Sequence, residues 1–236
     1  MCYILHLESS TEVCSVAISK DGQLVSEVTS DVGNAHASKI TVLIQECLAS
    51  AQIDTNDLSA VALSYGPGSY TGLRIGASVA KGICFSLKLP LIAISSLQAF
   101  ANGAIVALAN TKLDEDYAFL SMIDARRKDA YCALYDGKGR ELIAPHFATI
   151  DEAYFEHINS LNRGKVVRCG NSNHKCREIS ITKGTIFSDV TCRATHLISI
   201  ASAKFHANDF ADITYFEPFY LKAPNITTPK KNILGV

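Results

Sequence analysis

Gly66-Pro67-Gly68-Ser69-Tyr70-Thr71-Gly72-Leu73-Arg74-Ile75-Gly76 joins a short apolar strand at residues 61–65 to a helical pattern that runs on to about residue 87. Two glycines around a proline make a tight turn that brings the backbone close to whatever lies opposite. Ser69 or Thr71 is placed to cap the helix, whose first N–H groups attract anions or polar partners. Taken alone, the segment predicts a strand–loop–helix unit that binds phosphate or peptide.

The composition and charge of the chain exclude several classes of function. The chain has 236 residues, of which 48% are hydrophobic and 19% charged, and its net charge is −1. No general electrostatic attraction to nucleic acid or to an anionic membrane is expected, so a role near RNA would need a partner to supply most phosphate contacts. The apolar stretches predict neither a signal peptide nor a membrane span. The eight cysteines lie mostly inside apolar elements, which favours a reducing, cytoplasmic compartment.

Apolar periodicity in the first half indicates three strands followed by alternating helices and strands. The predicted elements are strands at residues 2–7, 12–19 and 24–30, a helix at 37–51, a strand at 61–65, a helix at 71–87, a strand at 89–95 and a helix at 96–109. Lys20-Asp21-Gly22-Gln23 is predicted to form the hairpin turn between the second and third strands.

The second half repeats this order, with Asp136-Gly137 in the place of Asp21-Gly22. Its predicted elements are strands at residues 119–125, 130–135 and from 141, a helix at 151–161, strands at 166–169 and 185–188, and a helix at 194–207. Such duplication predicts an α/β protein of two subdomains with mixed sheets, residues 1–109 and 110–236, facing each other across a cleft. This is the plan of the actin-like ATPase superfamily (ASKHA, ribonuclease H-like). Residues 171–193 are expected to be rich in loops, and the tail at 227–232 to be flexible.

Four stretches resemble, in order, the bacterial TsaB (YeaZ) family. They are ILHLESSTEVCSVAI at residues 4–18, GPGSYTGLRIG at 66–76, IDARRKDAY at 123–131 and EPFYLK at 217–222. Together they extend over nearly the whole chain, and an eleven-residue block with this wording is far more specific than a lone glycine-rich loop.

The resemblance implies a role in making threonylcarbamoyladenosine in tRNA, at the adenosine beside the anticodon. It implies a non-catalytic scaffold subunit that docks its paralogue TsaD, which transfers the threonylcarbamoyl group, and an ATPase, TsaE, that joins the pair. The chain is then expected to be a homodimer when free and to reach tRNA only through the complex. The family was once grouped with glycoproteases, so the chain would be an inactive homologue of these.

The histidines do not offer the HxxxH pair that a catalytic relative uses to bind a metal ion. They are His6, His36, His146, His157, His174, His196 and His206, and no two are four residues apart. A second candidate set for zinc contains no C-x2-C pair and matches no paired-knuckle spacing. Its members are Cys169, His174, Cys176, Cys192 and His196. No metal site is predicted.

The phosphate loops of an actin-like phosphotransferase are present only in part. Active members use glycines to wrap the phosphates and an Asp to hold Mg²⁺, whereas the loop after the first strand has Glu8 and no glycine. The sequence thus predicts a vestigial nucleotide or loop site, no required cofactor and weak nucleotide binding. Its residues would be Glu8, Ser9, Ser10, Thr11, Gly66, Pro67, Gly68, Ser69, Asp124 and Arg126.

The helix after the Gly-Pro-Gly loop has almost no side chain on one face, because Gly72, Gly76 and Ala80 recur every four residues. Each glycine costs about 1 kcal/mol of helix propensity, so close approach of a neighbouring element is expected. The residues alone leave open whether that neighbour is the protein's own sheet or a partner. The resemblance favours a partner, with TsaD or a second copy packing on the first two helices. The predicted interface residues are His36, Ile40, Leu43, Ile44, Cys47, Gly72, Leu73, Arg74, Gly76 and Ala80.

Two rival functions stay open. One is a small ATPase or kinase that holds Mg²⁺ between Glu8 and Asp124, and the other is a homodimeric module that binds a nucleotide or peptide. The basic run Arg126-Arg127-Lys128 is compatible with tRNA phosphate contacts or with a solvated turn.

Overall fold

The structure is a computed structural model that describes residues 1–30, 36–109, 111, 116–161, 165–177, 179 and 185–222, without the side chains of residues 36–38. The side chain of His36 and the tail at 227–232 therefore lie outside the described residues.

The first half forms a five-stranded sheet with three helices. Its elements are β1 (Tyr3–Glu8), β2 (Cys14–Lys20), β3 (Gln23–Ser30), α1 (His36–Ala51), a 3₁₀ turn (Thr55–Asp57), β4 (Leu58–Gly66), α2 (Tyr70–Leu87), β5 (Leu91–Ser95) and α3 (Ser96–Leu108). The strand order is β3-β2-β1-β4-β5, with β1, β2 and β3 antiparallel and β4 and β5 parallel to β1. The predicted hairpin turn is confirmed, since Asp21 and Gly22 both have positive φ, as a type I′ turn requires.

The second half repeats this sheet. Its elements are β6 (Ala118–Asp124), β7 (Asp129–Asp136), β8 (Glu141–Thr149), α4 (Glu152–Leu161), β9 (Val166–Cys169), α5 (Asn173–Arg177), β10 (Ile186–Ser188), a 3₁₀ turn (Ala194–Leu197) and α6 (Ile198–His206). The strand order β8-β7-β6-β9-β10 has the same pattern of antiparallel and parallel pairs as the first sheet. The predicted duplication is confirmed. The short helix α5 lies in the stretch that the sequence predicted to be rich in loops.

Three apolar clusters hold the layers together. One lies under α1 and α2 and includes Leu5, Val16 and Leu63. A second joins the halves, because α3 places Phe100 among residues of both sheets, such as Ile94 and Tyr135. The third fills the space under α4. The halves are therefore packed against each other through a continuous apolar layer, and the polar ends of their strands meet at one edge.

The C-terminal segment returns to the first half. Ala211 pairs with Leu91 at the edge of β5, the Lys81 ammonium donates to the carbonyl of Phe216, and the N–H of Phe219 donates to the Tyr65 carbonyl. Residues 209–222 thus run along β5 and α2 and end beside the second sheet. Within the described part of the chain, no helix has both the length and the hydropathy needed to cross a bilayer.

Candidate functional site

A cleft of about 860 Å³ opens between the two halves. It lies where β1, β4 and β6 end, which is where α/β folds of this kind build ligand sites. The structure brings together at this cleft a subset of the predicted loop-site residues, namely Ser10, Thr11, Pro67, Gly68, Ser69, Asp124 and Arg126. The sequence did not anticipate that Phe219, Tyr220 and Lys222 of the C-terminal segment also line it.

The Gly-Pro-Gly loop packs directly on the loop after β1. The N–H of Ser69 donates to the carbonyl of Ser10 at 2.7 Å, and a β-carbon at position 68 would overlap the Ser10 backbone. Gly68 is therefore required for close approach of the two loops. The Ser69 hydroxyl accepts from the N–H of Gly72 at 3.3 Å, which confirms Ser69 as the cap of α2.

Glu8 is completely buried and does not line the cleft. One carboxylate oxygen accepts hydrogen bonds from the N–H and hydroxyl of Ser10, at 2.7 and 2.5 Å, and the other accepts from the Cys192 thiol at 3.2 Å. Burial, together with this neighbouring carboxylate, raises the pKa of Cys192 well above its ordinary value, so the thiol stays protonated and donates. Both oxygens of the Glu8 carboxylate are thus occupied by hydrogen bonds within the chain.

Ser9 and Gly66 are also turned away from the cleft, so their predicted place in the loop site, like that of Glu8, is corrected. Ser9 donates to the carbonyl of Gly72. Gly66 has a positive φ of 121° and lies against the carbonyl of Phe219, where a side chain would not fit. The physical reason is the same for all three residues: each is packed against another segment of the chain, Glu8 against Cys192, Ser9 against α2 and Gly66 against the C-terminal segment.

Asp124 lies at the cleft but is already engaged. Its Oδ1 accepts from the Lys175 ammonium at 2.7 Å and from the N–H of Arg126 at 2.5 Å, while Oδ2 lies 3.6 Å from Nε2 of His174. The Asp124 carboxylate therefore fixes the turn after β6 and is already paired with the ammonium of Lys175.

The sequence comparisons agree with this architecture. A model of the family described as "TsaD: tRNA N6-adenosine threonylcarbamoyltransferase" matches residues 24–232. The tRNA threonylcarbamoyladenosine biosynthesis protein TsaB of Haemophilus influenzae is 28% identical, with 97% of this chain and 96% of that protein covered. The protein of the same name from Escherichia coli is 27% identical, with 93% and 94% covered. The chain belongs to the TsaB (YeaZ) family.

A solved structure shows that the fold is also that of the family. YeaZ from Pseudomonas aeruginosa superposes with a TM-score of 0.76 at 23% identity, covering 94% of this chain and all of that one. The predicted duplicated α/β fold with two mixed sheets is confirmed.

The predicted interface residues of α1 and α2 mostly face inward. Those of α1 cover sheet residues of the first half and are buried: Ile40, Leu43, Ile44 and Cys47. Those of α2 are buried as well: Gly72, Leu73, Gly76 and Ala80. The prediction that these residues touch a partner is therefore corrected, because the chain's own sheet covers the apolar stripe of each helix.

The small face of α2 has its close neighbour within the chain. A β-carbon on Gly76 would overlap the hydroxyl of Ser9, and that hydroxyl is 2.9 Å from the carbonyl of Gly72. Arg74 is exposed, but its guanidinium lies 4.2 Å from the ring centre of Tyr70, and Nε donates to the Tyr220 hydroxyl at 3.3 Å. Arg74 therefore joins α2 to the C-terminal segment.

The outward faces of the same two helices carry apolar side chains that the sequence prediction missed. Phe85 on α2 is 81% exposed and Val42 on α1 is 46% exposed. Gly82 lies on the same side of α2 as Phe85, and a β-carbon there would meet nothing within 4 Å. The helical periodicity of this TsaB-family sequence could have predicted the exposure of Phe85, since that residue falls outside the buried stripe of Leu73, Ala77 and Cys84.

The cysteines of the candidate zinc set lie in different environments. Cys169 donates to the carbonyl of Leu120, Cys176 lies against the sulfur of Met122, and Cys192 donates to Glu8. Burial raises the pKa of Cys169 to about 12 and that of Cys176 to about 11. Among the residues that the structure describes, no three His, Cys, Asp or Glu side chains are grouped as metal ligands.

Proposed function

We propose that this chain is a non-catalytic partner subunit in threonylcarbamoyladenosine synthesis on tRNA, and that it docks a TsaD-like catalytic paralogue. The family and the names of its relatives support the pathway. The observation that carries the docking role is the exposure of Phe85 on the outer face of α2.

The docking surface is the outward face of α1 and α2, centred on Phe85 and Val42. Both helices are anchored to the sheet by their buried stripes, so the surface is held rigid before a partner arrives. Removing a phenylalanine side chain from water contributes about 1.5–3 kcal/mol, and Gly82 leaves room for another helix to approach beside it. The same surface would pair two copies of the free chain.

The chain contributes no catalytic carboxylate in this proposal. An actin-like phosphotransferase needs a free acidic side chain at the end of its first strand, and the oxygens of Glu8 are occupied by Ser10 and Cys192. Asp124 is paired with Lys175. These contacts argue against the rival ATPase or kinase. In this proposal the chain requires no cofactor and binds nucleotide only weakly. ATP hydrolysis then falls to a TsaE-like ATPase that joins the complex, and tRNA is reached through the assembly.

Reconstitution tests the proposal. Threonylcarbamoyl transfer to tRNA is measured with the paralogue and the ATPase, with and without this chain. The proposal expects transfer to depend on the chain and to persist in a Glu8→Gln variant. Transfer at the full rate without the chain would contradict the partner role, and transfer lost in Glu8→Gln with paralogue binding intact would favour the rival enzyme.

A further inference from the structure

The turn between β6 and β7 carries three exposed basic side chains, Arg126, Arg127 and Lys128, and the first of them lines the cleft. Arg126 and Arg127 have left-handed backbone, with φ of 72° and 50°, which residues with a β-carbon rarely adopt. The turn is closed by the N–H of Asp129 donating to the Arg126 carbonyl at 3.0 Å and by Asp124 accepting from the N–H of Arg126. Strained backbone that the surroundings hold in place often marks a functional position.

Within the part of the chain that the structure describes, the three cations of this turn have no ion-pair partner. Arg126, Arg127 and Lys128 are exposed, and none of them forms an ion pair with another described residue. The nearest carboxylates are already engaged, since Asp124 is bound to Lys175, and Asp129 accepts from Thr149 and faces Lys222 at 4.0 Å. Glu12, which also lines the cleft, is the remaining acidic group. Cations therefore predominate on this side of the cleft.

Two aromatic rings lie at the end of the sheet that is next to this turn. Tyr131 on β7 and Phe147 on β8 are directly opposite each other in the sheet, and their ring centroids are 6.1 Å apart. The Lys222 ammonium lies 4.5 Å from the centre of the Phe147 ring. Phe147 is 38% exposed, and Tyr131 is half-buried and lines the cleft with Arg126 and Lys222. The sheet thus presents two rings flanked by positive charge, where it emerges from the core between the halves.

We propose that this surface, formed by Arg126, Arg127, Lys128, Tyr131, Phe147 and Lys222, binds a single-stranded segment of RNA. Rings on a sheet stack on unpaired bases, and neighbouring cations neutralise the phosphates that follow them. A duplex hides the faces of its bases, so the surface selects a loop. The inference rests on the proposed function, because the single-stranded RNA would be the loop of the tRNA that the complex modifies.

The surface explains how a chain of net charge −1 can contribute to RNA binding. Its cations supply a few phosphate contacts, too few for tight binding alone, and the rest come from the partner subunit. The chain would then position the loop while the paralogue carries out the transfer.

The test uses the chain in complex with its paralogue, a fluorescent anticodon stem–loop RNA and a matched blunt duplex without the loop. An Arg127→Ala/Lys128→Ala double variant should lower loop affinity and reduce the slope of log K against log salt by about 1.4, since each phosphate on a single strand contributes about 0.7. Phe147→Leu should lower affinity about tenfold with little change in slope, because it removes stacking and no charge. Lys138→Ala, at the turn at the opposite end of β7, is the matched control and should bind as the wild type does.

Paralogue binding is measured on the same variants by co-elution. Loss of loop affinity with co-elution intact supports the RNA surface. The proposal would be overturned if both variants bound the loop with wild-type affinity, or if loop and duplex bound equally well. It would also be overturned if ADP displaced the loop RNA, since the rings would then be a nucleotide site. Loss of co-elution in these variants would also overturn the RNA surface, since these residues would then form a protein contact. Normal co-elution with unaltered RNA binding would contradict the RNA surface but not the partner role.

Discussion

The hydroxyl of Ser9 lies against the bare α-carbon of Gly76, and it donates to the carbonyl of Gly72 one turn earlier. The loop after β1 is thereby fixed to the first half of α2. This contact uses the small face of α2 inside the molecule and leaves the opposite face, with Phe85, in solvent. The docking surface is thus presented by a helix whose back is closely fitted to its own sheet and loop.

Gly76→Ala should destabilise the fold, because its new β-carbon overlaps the Ser9 hydroxyl. Overpacking of this kind costs about 1–3 kcal/mol. Gly82→Ala, on the open side of the same helix, should be neutral or raise the free energy of unfolding by up to about 1 kcal/mol. Urea unfolding of both variants checks the pair, and equal stability of the two would show that Ser9 does not restrict position 76.

Much of the fold could be predicted from the sequence because its signals are local. The turn at Asp21-Gly22 and the 3.6-residue period of α1 depend on near neighbours, and the repeated order of elements revealed the duplication. The period shows which face of a helix is apolar, but it does not show what covers that face. Ile40 and Gly76 were therefore predicted at a partner interface, although the chain's own sheet and loop cover them.

The candidate site was less predictable because its contacts join distant parts of the chain. Glu8 is bound by Cys192, and the Gly-Pro-Gly loop faces Tyr220 and Lys222 across the cleft. No periodicity relates residues so far apart. Asp124 and Arg126 do lie at the cleft, and here a local pattern was enough to place them, since Asp124 ends a strand of the sheet and Arg126 lies in the turn after it.

His6 should make the fold less stable in acid. Its ring is completely buried, Nε2 lies 2.8 Å from the Ser19 hydroxyl, and burial lowers its pKa to about 3. Between about pH 6.5 and 3 the unfolded chain binds a proton there that the folded chain does not, so stability falls as the pH is lowered through this window. At pH 5 the loss is about 2 kcal/mol.

A His6→Gln variant isolates this effect, because glutamine does not titrate. Urea unfolding at several pH values should give a shallower decline below pH 6.5 for the variant than for the wild type. Parallel curves would show that His6 is not buried in its neutral form.

The thiols should differ sharply in reactivity. All eight cysteines are free, and burial raises the pKa of Cys84 and Cys132 to about 12 and that of Cys14 to about 11. Cys2 is only partly buried. A chromogenic disulfide reagent should therefore label one thiol quickly in the native protein and the others only on unfolding, because thiolate and access are both needed. A Cys2→Ser variant should lose the fast phase, and its persistence would identify another reactive cysteine.

The most direct measurement is the dissociation constant between this chain and its TsaD-like paralogue for Phe85→Glu against Val106→Glu. Val106 lies on α3 and is 64% exposed, so the two substitutions place the same charge on different exposed helix faces. Phe85→Glu should weaken binding by about 30-fold or more, as truncation of an aromatic hot spot does, with no change in the urea midpoint. Val106→Glu should bind as the wild type does. Wild-type affinity in Phe85→Glu, or equal loss in both variants, would contradict docking through the outer face of α1 and α2.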